Sequence, residues 1–123
     1  MKPAERIFRV FVVEDEPLIA MIVEDALLAS GCEMVGPFAQ LGEALEAAHR
    51  GDFDCAILDL NIRGGFSYSV AILLAERGCP ILLATGYRTG SLPASLAQVA
   101  QLAKPYSSEQ LKQEIRKLCD RVC

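Results

Sequence analysis

The sequence lacks the features that mark zinc proteins, membrane proteins and nucleic-acid-binding proteins. It has one histidine, His49, and five cysteines with no pair at CxxC spacing, which argues against a zinc site. Its longest apolar runs are too short to cross a membrane. Its net charge of −4 provides no basic surface for nucleic acid. These absences favour protein or small-molecule partners.

Apolar material is abundant in the chain. Hydrophobic residues make up 52% of the 123 residues and charged residues 23%, which predicts one folded domain over residues 1–123. Cys55 and Cys79 lie in apolar runs, where cysteine behaves as a small hydrophobe. No signal-peptide core follows the N-terminus, because acidic residues interrupt the first apolar run at 14–16. We therefore expect reduced thiols and a cytoplasmic location.

Apolar runs and helical repeats alternate along the chain. The pattern predicts strands at 7–13, 34–36, 55–58, 80–84 and 99–103, and helices at 17–29, 39–50, 67–77 and from Ser107 or Ser108 onward. Pro37 is expected to close the second strand. Gly90 and Pro93 break the pattern between the last two strands, so the fourth of five helices should be short or irregular. Five βα units predict an α/β fold with one parallel sheet covered by helices on both faces.

Polar residues stand where four of these strands end. Glu14 and Asp15 follow the first strand, Asp59 the third, Thr85 the fourth and Lys104 the fifth. The carboxyl ends of parallel strands share one edge, which is where open α/β sheets bind ligands. We therefore expect these side chains to converge.

Three carboxylates at one place call for a cation. Two like charges about 4 Å apart repel by roughly 4 kcal/mol at an effective dielectric constant near 20. Oxygen ligands without cysteine or histidine favour Mg²⁺. A carboxylate beside Mg²⁺ and a lysine is a plausible nucleophile toward phosphorus, as in aspartyl-phosphate formation.

Each of these residues also has a structural interpretation when it is taken alone. Asp59 could be a loop residue or a helix cap, and residues 14–16 an acidic first helical turn. Thr85 could cap a strand, and Lys104 could be a solvated surface charge. The joint occurrence at four strand ends favours the functional interpretation.

The motifs in their order resemble the receiver domain of two-component response regulators over nearly the whole chain. The matching segments are Val12-Val13-Glu14-Asp15-Glu16-Pro17, Ile57-Leu58-Asp59-Leu60-Asn61, Ala84-Thr85-Gly86 and Lys104-Pro105-Tyr106. The resemblance implies a flavodoxin-like sheet of order 2-1-3-4-5.

The resemblance also implies a role for each matching residue. Asp59 would accept a phosphoryl group, with Thr85 and Lys104 binding its oxygens. Mg²⁺ would be held by Asp15, by Glu14 directly or through water, by Asp59, and by the backbone carbonyl of Asn61. Pro105 would follow a cis peptide bond.

The chain departs from the family pattern at two places. Receivers usually have a proline at the position of Arg63, and here two glycines follow instead, so we expect a looser turn. Receivers also place a switch aromatic where this chain has Gln101. The segment from Leu83 to Tyr87 is similar to a subgroup with a Phe-Ala-Thr-Gly-X-Tyr signature, many of whose members are stand-alone receivers. Tyr87 either takes over part of the switch role or only covers the crevice.

The resemblance predicts a single-domain response regulator. It would be phosphorylated on Asp59 by a histidine kinase or phosphotransfer protein, and would signal by protein contact or phosphorelay. It would be a monomer or weak dimer and no enzyme beyond Mg²⁺-dependent self-phosphorylation and autodephosphorylation.

Three alternatives stay open at this point. One is a phosphorylation-independent module with a receiver fold. Another is a receiver cut from a hybrid kinase, against which Met1 is weak evidence. A flavodoxin-like cofactor binder is disfavoured, because acidic residues at 14–16 would repel a phosphate.

Overall fold

Five parallel strands form the central sheet of the protein. The computed structural model describes residues 7–63, 65–86 and 92–122. The strands of the sheet are β1 (Arg9–Val13), β2 (Glu33–Phe38), β3 (Cys55–Asp59), β6 (Ile81–Thr85) and β7 (Ala100–Ala103). Their order across the sheet is β2-β1-β3-β6-β7, with every pair parallel. Because β6 and β7 are the fourth and fifth strands of this sheet, the order is the predicted 2-1-3-4-5. The predicted order and the predicted flavodoxin-like α/β fold are confirmed.

Two helices cover each face of the sheet. Helices α1 (Pro17–Ala29) and α4 (Ser108–Val122) pack on one face, and α2 (Leu41–Arg50) and α3 (Tyr68–Glu76) on the other. Successive strand residues point to opposite faces, so Val10 and Val12 join the α1–α4 core while Phe11 and Val13 join the α2–α3 core. All five residues of β3 and of β6 are buried, which explains their unbroken apolar sequences.

The second strand does not end at Pro37, as the sequence suggested. It continues to Phe38, with an irregularity in the register: Phe11 pairs with Val35 and Val13 with Phe38. Pro37 is tolerated because β2 is an edge strand, where a missing N–H removes no bond of the sheet.

The turn after β3 is paired rather than loose. Strands β4 (Asn61–Ile62) and β5 (Gly65–Phe66) form an antiparallel hairpin. The carbonyl of Arg63 accepts a hydrogen bond of 3.1 Å from the N–H of Leu41, which ties this hairpin to the start of α2. The sequence did not predict this pairing, because two-residue strands leave no periodic pattern.

The short fourth helix of the prediction is a single 3₁₀ turn at Ala94–Leu96 in the described part of this segment. The last helix begins after Ser107, whose hydroxyl accepts a hydrogen bond from the N–H of Gln110 at 3.0 Å. The Gln110 side chain accepts one from the N–H of Ser107 at 2.8 Å, which completes a capping box. No helix in the described ranges is long and apolar enough to cross a membrane.

Candidate functional site

The strands end together at one edge of the sheet and bring the predicted site residues with them. Asp59 is the last residue of β3 and Thr85 the last of β6. Asp59 is in register with Ala84, and Thr85 with Ala103, one residue before Lys104.

Three carboxylates meet at this edge. One carboxylate oxygen each from Glu14, Asp15 and Asp59 lie within 4.8 Å of one another. Glu14 is 4% exposed and Asp59 7%, whereas Asp15 is half-buried. Burial of this kind is rare for acidic side chains without a partner. The arrangement therefore needs positive charge nearby.

Lys104 supplies one such charge. Its ammonium donates a hydrogen bond to Asp59 Oδ2 at 2.9 Å and one to Glu14 Oε1 at 3.3 Å. Its backbone N–H donates to the carbonyl of Thr85 at 3.0 Å, which fixes the position of the lysine at the end of β7. The peptide bond between Lys104 and Pro105 is cis, as the resemblance implied.

The charges of the site change the proton affinities of its members. Burial, and then the negative charge of Asp59, raise the pKa of Glu14 to about 7, although Lys104 opposes the shift. Burial lowers the pKa of Lys104, but its bonds and attraction to Asp59 and Glu14 outweigh burial and raise the pKa overall. One lysine thus compensates the carboxylates only in part, and a second cation would be bound favourably.

Backbone and hydroxyl groups hold Asp59 in place. The N–H of Asn61 donates to Asp59 Oδ1 at 3.1 Å. The hydroxyl of Ser67, fully buried, donates to the backbone carbonyl of Asp59 at 2.6 Å. No sequence pattern indicated this role of Ser67, because a serine at the start of a helix is typical of a cap. Its side chain caps nothing here and bonds to the end of β3 instead.

A cleft of about 440 Å³ opens over these groups. Its lining consists of Asp15, Glu16, Asp59, Asn61, Gly86 and Lys104. The available ligand atoms are all oxygen, which fits Mg²⁺, an ion that keeps several waters and uses few protein carboxylates. The structure brings Glu14, Asp15, Asp59 and Lys104 into direct proximity. Asn61 and Thr85 lie at the same edge.

The switch hypothesis concerns two other positions. Tyr87 lies outside the described residues, so its role stays a prediction. Gln101 is half-buried in β7, and its side-chain oxygen has no hydrogen-bond partner within the described ranges. A polar side chain therefore stands where receivers usually have an aromatic ring.

Comparisons with known proteins agree with this geometry. The family model described as "response regulator receiver domain" matches residues 10–116. SdrG from Sphingomonas melonis Fr1 is 35% identical over 94% of this chain and 96% of that chain, with a TM-score of 0.75. The BeF3-activated conformation of SdrG from Pseudomonas melonis Fr1 is 36% identical over 89% of this chain and 94% of that chain, with a TM-score of 0.71.

A more distant neighbour shows the same fold. The receiver domain of PhyR from Erythrobacter litoralis is 22% identical over 96% of this chain and 94% of that chain, with a TM-score of 0.80. A comparison with curated protein sequences gives no match. The family model covers most of the chain and the SdrG structures are similar over nearly all of it; the chain therefore belongs to the response regulator receiver domains.

Proposed function

We propose that this protein is a single-domain response regulator that accepts a phosphoryl group on Asp59. The observation that carries the proposal is the contact of 2.9 Å between Lys104 and Asp59 inside the cluster of three carboxylates. The donor would be a histidine kinase or a histidine phosphotransfer protein. Output would pass through protein contact or a phosphorelay.

The proposed chemistry follows from the placement of the charges. An oxygen of Asp59 attacks phosphorus, and the bond from phosphorus to the donor's imidazole nitrogen breaks. The other ring nitrogen of the donor carries a proton, so the imidazole leaves as the neutral ring. Lys104 pairs with an oxygen of the transferred group, and the Thr85 hydroxyl bonds to another. Glu14, Asp15, Asp59 and the carbonyl of Asn61 would hold Mg²⁺, which when bound neutralises charge on the phosphoryl group.

An apolar patch beside the cleft supports docking of a helical phosphodonor. Leu18 is 70% exposed, Met21 58% and Ile22 39%, and all three lie in the first turns of α1, directly after the acidic residues at 14–16. Exposed apolar side chains grouped next to a reactive site are typical of a partner surface. A donor helix packed on this patch would bring its phosphohistidine to the mouth of the cleft.

The proposal treats the chain as a domain that acts by itself in the cytoplasm. The similarity to SdrG supports the receiver fold on which this view rests. Receiver domains are in general not enzymes, and self-phosphorylation and autodephosphorylation are the only reactions that we propose here.

The test is intact mass spectrometry after incubation with acetyl phosphate and Mg²⁺. We expect one added phosphoryl group on the parent protein. The Asp59→Asn variant and a sample without Mg²⁺ should both stay unmodified. Ser69→Ala, an exposed position in α3, is a control that should be labelled like the parent.

Failure would take three distinguishable forms. An adduct on Asp59→Asn would place the modification on another residue and contradict the assignment of Asp59. An unmodified parent that also binds no Mg²⁺ in calorimetry would favour a phosphorylation-independent module. An unmodified parent that binds Mg²⁺ and is also not labelled by a phosphorylated histidine donor would reject the phosphoryl-transfer proposal as a whole.

A further inference from the structure

Two thiols lie against each other at the end of the sheet opposite the cleft. Cys32 is in the turn between α1 and β2, and Cys119 is near the end of α4. Their sulfur atoms are 3.7 Å apart although 87 residues separate them in sequence. Cys55, at the start of β3, is close enough to Cys119 that the Cys119 thiol, together with burial, raises the pKa of Cys55.

We propose that Cys32 and Cys119 are a redox modification site that forms a reversible disulfide. A disulfide has an S–S bond of about 2.05 Å, so from 3.7 Å the sulfur atoms need to approach by roughly 1.7 Å. Rotation of the two side chains about their Cα–Cβ bonds provides movements of this size. Cys79 serves as a control cysteine, because its sulfur atom contacts the backbone carbonyls of Asp54 and Pro80.

The two cysteines differ in their exposure to solvent, and the charges around the more exposed one indicate which kind of oxidant can reach it. Cys119 is half-buried and lines a surface groove together with Lys112, Arg116 and Asp120. Cys32 is only 5% exposed, and the Cys119 thiol and burial raise its pKa. Two basic side chains against one acidic side chain favour a small anionic disulfide, such as oxidised glutathione. Cys119 is therefore the thiol that reacts first.

The reaction is two successive thiol–disulfide exchanges. The sulfur of Cys119 attacks one sulfur of the small disulfide, forms a mixed disulfide and releases one thiol molecule, which takes the proton of Cys119. The sulfur of Cys32 then attacks the Cys119 sulfur, the mixed disulfide breaks, and a second thiol molecule leaves with the proton of Cys32. The protein loses two hydrogen atoms, and the small disulfide is reduced to two thiols.

The bond would tie the end of α4 to the turn that precedes β2. Cross-linking residues that are far apart in sequence restricts the unfolded chain, so the oxidised protein should unfold at a higher temperature. The phosphorylation site lies at the opposite ends of the strands and touches neither cysteine. Oxidation should therefore stabilise the domain without changing the labelling of Asp59.

The test uses the full chain and its Cys123→Ser variant, each incubated with oxidised glutathione. We expect a mass loss of about 2 Da, a peptide pair joining Cys32 to Cys119, and a rise in Tm of at least about 5 °C that dithiothreitol reverses. Cys79→Ser should behave like the parent, and acetyl phosphate labelling should change by less than about two-fold.

Other outcomes would overturn the inference. A stable glutathione adduct without an internal disulfide would do so, as would a joined pair other than Cys32 with Cys119. Cys32→Ser removes one sulfur atom of the pair and should show no reversible rise in Tm on oxidation. If this variant fails to fold, Cys119→Ala, at the half-buried position, provides the second test. If folded Cys119→Ala still shows a reversible rise in Tm on oxidation, the proposed pair is wrong.

Discussion

At each end of the sheet, carboxylates gather around a basic residue, and the two groups differ in how far their side chains are buried. At the amino ends of the strands, the guanidinium of Arg9 contacts the carboxylates of Glu33 at 2.9 Å and Asp52 at 2.6 Å. The backbone N–H of Arg9 donates a hydrogen bond to the carboxylate of Asp54 at 2.8 Å. At the carboxyl ends, Lys104 contacts Asp59 and Glu14, with Asp15 beside them. The residue types at the two ends are nearly the same.

Burial separates the two clusters. The side chains of Glu33 and Asp52 are 55% and 83% exposed, so water already compensates their charges. Those of Glu14 and Asp59 are 3% and 9% exposed, and burial, followed by the repulsion from Asp59, raises the pKa of Glu14. A bound cation would relieve that repulsion, whereas water already surrounds the exposed carboxylates that contact Arg9. Desolvation of the carboxylates, and not the number of charges, therefore distinguishes the carboxyl ends of the strands from the amino ends.

The largest expected effect comes from removing the cationic side chain at the carboxyl ends of the strands. Lys104→Met should slow phosphorylation of Asp59 by acetyl phosphate by about 100-fold or more, because the charge that pairs with the phosphoryl oxygen is lost. Arg9→Met is the matched control and should leave the rate unchanged, because Arg9 binds exposed carboxylates at the opposite end. The measurement is the initial rate of adduct formation by intact mass at saturating Mg²⁺.

Equal rates for Lys104→Met and Arg9→Met would contradict the proposed difference between the two ends of the sheet. A slow Arg9→Met protein whose thermal unfolding matches that of the parent would show that the amino end contributes to the chemistry. Lys104→Arg tests the charge by itself, and we expect partial recovery of the rate over Lys104→Met.

Much of this arrangement could be predicted from the sequence, for identifiable reasons. Strands buried on both faces, such as Cys55–Asp59, leave continuous apolar runs, so their carboxyl ends could be located within about one residue. A parallel sheet then requires those ends to share an edge, which placed Glu14, Asp59 and Lys104 together. The identity of the site thus depended on topology, which strand patterns reveal well.

The features that the sequence did not reveal depend on three-dimensional packing. Leu18 fits the helical repeat of α1, yet it is exposed, because periodicity does not distinguish a core face from an exposed apolar face. The bond from Ser67 to Asp59 and the contact of Cys32 with Cys119 join segments that no local pattern connects.

The next effect concerns the stability of the protein without Mg²⁺. The ordinary pKa of Glu14 is 4.5 and the folded protein raises it to about 7, so the folded state binds more protons than the unfolded state between these values. The free energy of unfolding should therefore fall as pH rises from 4.5 to 7 and stay low above that. Glu14→Gln should remove this loss and stabilise the protein by on the order of 2 kcal/mol at pH 8 in EDTA.

Urea unfolding at pH 5 and pH 8, with EDTA or with Mg²⁺, measures this effect. Mg²⁺ should reduce the loss of stability in the parent. It should also stabilise Glu14→Gln, because Asp15 and Asp59 remain as ligands, but this variant should differ less between pH 5 and pH 8 than the parent does. Glu33→Gln removes an exposed carboxylate at the amino end, so it should stay close to the parent under each condition. A Glu14→Gln protein less stable than the parent at pH 8 in EDTA would mean that the carboxylate is held favourably, contrary to the comparison.

The smallest expected effect extends the comparison along α1 to the phosphodonor. Leu18 and Leu28 are both exposed leucines of this helix, with 70% and 63% of their surface exposed. Leu18 lies at the cleft end, and Leu28 lies ten residues further along, toward the opposite end. Leu18→Ala should weaken binding of a phosphotransfer protein by about ten-fold through loss of buried apolar area, and Leu28→Ala should not. Labelling by acetyl phosphate should be unchanged in both variants, because a small donor needs no docking surface. Calorimetric titration gives the affinities, and equal losses in the two variants would place the docking surface along the whole helix instead of at its cleft end.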